Sequence, residues 1–399
     1  MLRRAWSTAV TAAPPVQPAR AAGSLWAWGK SEGGELGYGK DLPKRAGLLD
    51  ARVQGKPRLV SAEPHRCVAV GRTHSAAITE DNRVLTWGLA KYGVLGNGTP
   101  DKEKCEAPLP AKLLPGDSDE HVAVACGEAH TALLTSEGIC KTMGWGGSVS
   151  HGCGALGSGV LKSKLQPERI WVAGSEDVRL KAISAGAYHM LGLGFDGEAW
   201  VWGSGPGLLG NGRNGDALEP MPVSDLLDLD VHVVQVACGH NFNMALGADG
   251  VVWTWGRNDN GQLGLGGGFN LDMEKSPRPV EALQGEKIVS VAAGHNHAAC
   301  VNDKGECYIW GYSAWVQPHK VTAALAQRKV RRVACGHSFT AAVTEEGDLF
   351  MWGKHSFFVA RTGVLGQGDF ARVSQPALVP LPGPVTDVAC GEHHVLALA

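Results

Sequence analysis

The chain has 399 residues, and its 55 glycines are about twice the usual share, which argues against a helical protein. Its 37 lysines and arginines against 39 aspartates and glutamates leave a formal charge of -2, so no global basic field draws it to nucleic acid, and DNA is disfavoured as a main partner. No apolar run of about 18 residues offers a transmembrane segment, and the 10 cysteines, lacking CxxC pairs and zinc-ligand spacing, read as small core residues of a reducing compartment.

At the amino terminus, residues 1–22 contain Arg3, Arg4 and Arg20 and no acidic residue, with alanine, serine and threonine prominent. That is the composition of an organellar transit leader and predicts a mitochondrial address, matrix or matrix-facing, with the plastid second. The division expected is therefore a leader over 1–22 and one repeat domain over 23–399.

From residue 23 a repeat governs everything. Trp-Gly pairs fall at Trp28, Trp87, Trp145, Trp202, Trp255, Trp310 and Trp352, and a second series runs Gly71, Gly127, Gly186, Gly239, Gly294, Gly336 and Gly391. Three residues after these glycines come His74, His130, His189, Phe242, His297, Phe339 and His394. Between the series lie two alternating strands joined by turns such as Asp196-Gly197, Asp249-Gly250 and Glu346-Gly347. A GxLGxG loop follows the Trp-Gly in six units, as in Gly261 to Gly266, and two further short strands complete each unit. Sheets of about four strands cannot cover both their faces alone, and radial packing solves this. The expected fold is an all-β, seven-bladed β-propeller closed by pairing of its N- and C-terminal strands. Gly23 to Trp28 lacks the preceding half-unit and Val395 to Ala399 lacks the following one, so these two should share a blade.

The unit Cys238-Gly239 through Trp255-Gly256 and Gly261-Gln262-Leu263-Gly264-Leu265-Gly266 resembles the regulator of chromosome condensation repeat, whose type member is the exchange factor for the small GTPase Ran. The resemblance extends over residues 23 to 399 and implies a seven-bladed propeller. It does not imply exchange activity, since one fold serves many tasks.

The recurring histidines read as structural, packing their rings and bonding a neighbouring loop backbone, because phenylalanine replaces them in two units. The glycine loops are turns, since no helical period follows them to make a phosphate site. More telling are the variable residues just after each turn glycine, which should open on one face around the axis: Arg72, Glu128, Tyr188, His240, Asn241, His295, Asn296, His337, Glu392 and His393. They are expected to form a partner-binding face, with His240, His295 and His337 on one arc. In the exchange-factor branch of the family this face engages the GTPase.

Three units depart from the repeat. Unit six lacks the glycine loop after Trp310-Gly311, which should leave a notch near Trp315. Unit seven inserts residues 354–361, where Phe357, Phe358 and Val359 form a candidate docking loop flanked by Lys354 and Arg361. Unit three carries an expanded segment, His151 to Gln166, as a candidate wedge. A basic cluster, Arg328, Lys329, Arg331 and Arg332, could contact ribosomal RNA or an acidic partner, or simply protect a sheet edge. No catalytic constellation, metal site or cofactor is expected. The expected function is a non-catalytic interaction platform in an organelle, a mitochondrial subunit or assembly factor of a ribosome or respiratory complex; the alternative is a guanine-nucleotide exchange factor for an organellar small GTPase.

Overall fold

The computed structural model describes residues 22–39, 52–98, 104–113, 118–148, 152–170, 179–267, 271–353, 363–368 and 373–399. Phe357, Phe358 and Val359 of the expected docking loop and residues 1–21 of the expected leader lie outside the described residues. Among the described residues regular structure is almost all β, broken by one short helix, Ser224–Asp228, and two 3-10 turns. None of these helices is long and apolar enough to cross a membrane.

Each repeat unit folds as an antiparallel sheet whose strands follow chain order from the axis outward. In one, Val233–Cys238 pairs with Phe242–Gly247, that with Val252–Arg257, and that with Met273–Pro279. The third unit has the same four-stranded sheet, ending in Lys164–Arg169, and a separate hairpin of two-residue strands, Gly147–Ser148 with Gly152–Cys153. The second strand of that hairpin begins the described part of the segment His151 to Gln166, whose last residues start the outer strand Lys164–Arg169.

Successive innermost strands lie side by side: Arg52–Val70, His121–Cys126, Leu180–Ala185, Val233–Cys238, Ile288–Ala293, Val330–Cys335 and Asp387–Cys390, with the last against the first. The result is a propeller, its core divided among the spaces between neighbouring sheets.

At the chain ends the sheets fuse. Leu25–Gly29 pairs with His394–Leu398, as the half-units required. The expectation of separate four-stranded units fails here, because Arg52–Val70 runs on without a break. Its first part pairs with Gly23–Ser31 and its last part with His74–Thr79, pivoting at the buried His65, so one seven-stranded sheet contains both termini.

Two glycine positions explain the repeat. Gly127 sits where a Cβ would lie 2.6 Å from the carbonyl oxygen of Gly186 in the next turn. Gly88 has φ +110° and passes against the backbone of Thr73 and His74, leaving no room for a side chain. The equivalent of Gly88 in the third unit is Gly144, which faces His130 in the ladder, so Met143 stands where the other units place tryptophan. Trp145-Gly146 is thus displaced by two residues and does not belong to the structural series.

Candidate functional site: the axial ring

The repeated histidines are buried, and four of the five, His74, His189, His297 and His394, bond between sheets to a side chain and not directly to a loop backbone as expected. His74 Nε2 meets Thr131 Oγ1 at 2.8 Å, and Thr131 donates to the carbonyl of Val94 in the glycine loop at 2.8 Å. Because the hydroxyl proton is committed to the carbonyl, the imidazole is the donor. His189 reaches Leu208 O through Asn243, and His394 reaches Glu35 O through Ser75. His297 bonds Thr340, whose other neighbour is the Tyr312 hydroxyl at 3.3 Å. Tyr312 stacks on His297 with ring centres 4.0 Å apart. In unit six its hydroxyl therefore stands where a loop carbonyl stands elsewhere, and the expected notch is occupied from within. Trp315 is instead exposed and stacked on His319.

The turns that precede these histidines are linked in sequence around the axis. Arg72 N donates to Gly127 O, Glu128 N to Ala187 O, Ala187 N to His240 O, His240 N to Gly294 O, His295 N to Gly336 O and His337 N to Gly391 O. All seven turns line one cavity of about 200 Å³, floored by inner-strand residues including Cys126, Cys238, Cys335 and Cys390.

Above that floor the variable side chains join. His240 and His295 lie with centroids 4.0 Å apart and planes tilted by 31°, His295 and His337 with 4.2 Å and 37°, and His393 continues the row at 6.2 Å. Glu128 accepts from Tyr188 at 3.0 Å, lies 3.2 Å from His240 Nε2, and pairs with Arg72. Arg72 also pairs with Glu392 at 3.0 Å, and Glu392 lies 3.4 Å from His393. Asn241 bonds His240, while the carbonyl of Asn296 accepts the backbone N–H of Tyr312. The expected arc of three histidines is thus part of a ring, interrupted only at the small Ala187.

Electrostatics set the protonation of this ring. Burial works against ionisation of Glu128, yet His240, Arg72 and Tyr188 overcome it and hold the carboxyl at about 2. Glu392 is likewise held at about 2, by the His393 hydrogen bond first and then, against burial, by nearby positive charge. Burial and the neighbouring imidazoles push His295 down to about 4, and burial also lowers His337. The imidazoles at positions 295 and 337 are therefore neutral at pH 7, facing ionised carboxylates. Among the described residues no three His, Cys, Asp or Glu side chains are grouped to hold a metal ion.

The basic cluster is dispersed. Arg328 pairs with Asp348 at 2.9 Å, Arg332 with the buried Asp387 at 2.7 Å, and Arg331 donates to the Val385 carbonyl. Glu345 N bonds the Lys329 carbonyl. Val330–Cys335 is a sheet edge, but the one facing the axis, and its two arginines, Arg331 and Arg332, brace the last sheet.

The RCC1-like domain family matches residues 19–320, and the regulator of chromosome condensation (RCC1) repeat matches residues 330–358 and 346–398. The chain belongs to the RCC1-like family. One RCC1-like relative, the RCC1 domain-containing protein RUG3, mitochondrial, of Arabidopsis thaliana, is 32% identical over 299 residues, which are 72% of this chain and 61% of that protein. The chain thus spans less than two thirds of that relative's length. The crystal structure of human WBSCR16 superposes with a TM-score of 0.79 at 26% identity, covering 95% of this chain and 99% of that one. Yeast RCC1 (Prp20), solved bound to Kap60, gives a TM-score of 0.81 at 20% identity over 100% and 95% of the two chains and shares the fold.

Relative to the RCC1-like repeat, sequence reasoning missed Trp145 and Tyr92. Displacement carries Trp145 to the ring, edge-on to Tyr188 with centroids 5.4 Å apart and 6.3 Å from Tyr92. The signal was present: thirteen residues separate His74 from Trp87 and His189 from Trp202, whereas fifteen separate His130 from Trp145.

Proposed function

We propose that this chain is a mitochondrial protein-interaction platform, a seven-bladed propeller acting as a subunit or assembly factor of a large complex such as the ribosome or a respiratory complex. The observation that carries this reading is the axial ring. The repeat holds its histidines and glycines for packing and leaves two variable residues per turn, and most of these meet on a single face as a connected polar surface. Nothing in the ring pairs a nucleophile with a base, and a recognition surface is what remains. The mitochondrial address is supported by the acid-free, arginine-bearing residues 1–22 and by the mitochondrial relative. The inserted Phe357, Phe358 and Val359 provide a second contact.

Purification of the tagged chain from mitochondria at native levels, followed by identification of what co-migrates, tests this. We expect one large assembly, lost with Glu128→Gln/Glu392→Gln in a chain that still unfolds cooperatively though at a lower temperature, and weakened by Phe357→Ser/Phe358→Ser with little change in melting temperature. Migration of the wild-type chain as a free monomer refutes the platform. Catalysed nucleotide release from an organellar small GTPase by the purified chain would put the exchange-factor reading in its place.

A further inference from the structure

We propose that the axial ring is a receptor for a guanidinium group: an arginine side chain presented by the protein partner enters between Glu128 and Glu392 and packs against Trp145 and Tyr188. The inference rests on the platform reading and names the chemistry its partner must present.

The geometry already contains such a complex. Arg72, on the turn between the two carboxylates, reaches Glu128 with one nitrogen and Glu392 with another, so the pair lies within the span of a single guanidinium. Its side chain is 52% exposed, whereas those of Glu128 and Glu392 are 13% and 26% exposed. The carboxylates are built into the ring and the cation is the replaceable member. Two carboxylates share this one guanidinium, with His240 beside Glu128 and His393 beside Glu392, and the imidazoles between them offer ring nitrogens and aromatic surface. A guanidinium that takes the place of Arg72 keeps both carboxylates paired, and an anion does not.

Aromatic surface continues outward from Glu128. Tyr188 is tied to its carboxylate, Trp145 stands edge-on to Tyr188, and Tyr92 follows. The outer end of this row already carries a cation, with Lys91 Nζ 4.8 Å from the Tyr92 ring centre. A carboxylate at one end of an aromatic row favours arginine over lysine, because a planar guanidinium can bond the carboxylate in its plane and stack through its face. Tyr92 holds φ +62°, an unusual conformation for an aromatic residue, and that strain is a further sign of a surface shaped for contact.

The test uses the full chain and a defined probe, the peptide acetyl-Gly-Gly-Arg-Gly-Gly-amide, titrated by saturation-transfer NMR against its citrulline and aspartate counterparts. We expect saturable binding of the arginine peptide in the low millimolar range, with citrulline at least about tenfold weaker because it keeps the shape and loses the charge. Trp145→Ala and Glu128→Gln should each weaken binding by about tenfold. Arg72→Ala should strengthen it several-fold, since it removes the resident competitor, and thermal melting verifies that each variant is folded. Equal binding of the citrulline peptide, preference for the aspartate peptide, or weaker arginine binding by a folded Arg72→Ala variant would overturn the proposal. So would the absence of saturable binding up to about 10 mM in both wild type and Arg72→Ala. Arginine-peptide binding by a chain that joins no complex would refute the platform and leave the ring's chemistry standing.

Discussion

Each repeated histidine is matched by the residue that follows the histidine position in the next sheet. His74 faces Thr131, His189 faces Asn243, His297 faces Thr340 and His394 faces Ser75, all polar. The phenylalanines at the same position, Phe242 and Phe339, precede sheets with Ala298 and Val395 at the matching place. His130 breaks this rule: the matching residue is Met190, and its Nε2 is buried without a hydrogen-bond partner. An unsatisfied buried donor or acceptor costs about 1–3 kcal/mol. His130→Phe should therefore be neutral or stabilising, while His74→Phe, which removes the donor to Thr131, should destabilise by about 1–3 kcal/mol. Chemical denaturation of the two variants checks this, and a larger loss for His130→Phe would contradict it. The pattern can be read in the sequence as a pairing of distant positions, but only once the order of the sheets is known.

At the scale of the element, the glycine loop is a small acceptor that two elements compete to satisfy. In the first loop Glu35 O receives both Ser75 Oγ and Trp87 Nε1, and Leu208 O receives both Asn243 Nδ2 and Trp255 Nε1. Where the matching residue is apolar, the tryptophan bonds alone, as Trp28 to Val364 O, Trp202 to Ala155 O and Trp310 to Gln262 O. Where Met143 replaces the tryptophan, Thr131 supplies the bond to Val94 O. Thr131→Val strips both His74 and Val94 O of their partner and should cost about 2–3 kcal/mol; Ser75→Ala leaves Glu35 O with Trp87 and should cost nearer 1 kcal/mol. Equal melting temperatures for the two would argue against a shared acceptor. Proline punctuates the outer strands, with Pro108, Pro167, Pro220, Pro277 and Pro318 inside them. These residues lack a backbone donor, and proline on an exposed edge discourages pairing with other chains.

For the whole molecule, closure and acid stability follow from the ring of sheets. Removing residues 1–28 takes away the strand between His394–Leu398 and Arg52–Val70, splitting the seven-stranded sheet. Cooperative unfolding should be lost, and an unchanged calorimetric transition would refute closure. Burial holds His74 and His189 at about 4 and His130, His297 and His394 at about 3, against the usual 6.5. Between about 4 and 6.5 the unfolded chain therefore binds more protons than the folded one, so stability is full above that window and falls as pH drops through it. Glu128 and Glu392, held at about 2, withdraw their contribution only below 4.5. Counting His295, also held at about 4, unfolding at pH 5.5 should take up about five protons, measured by calorimetry in buffers of different ionisation heat; uptake near zero would contradict this assignment.

The sequence by itself determined the β class, the repeat, its four-strand unit, the half-units at the two ends and the face on which the variable residues open. Each of these is written in local spacing: glycine where a Cβ has no room, alternation for strands, Trp-Gly at the strand end. Tertiary structure alone decided that Arg52–Val70 runs through two units and that Tyr312 fills the place of a missing loop; the longer interval from His130 to Trp145 already marked the displacement of Trp145, and the structure decided that it ends at the ring. It also decided that Arg72, Glu128, the imidazoles and Glu392 touch. Those contacts join residues up to hundreds of positions apart, and their distances depend on how the sheets pack around the axis, which no local spacing records.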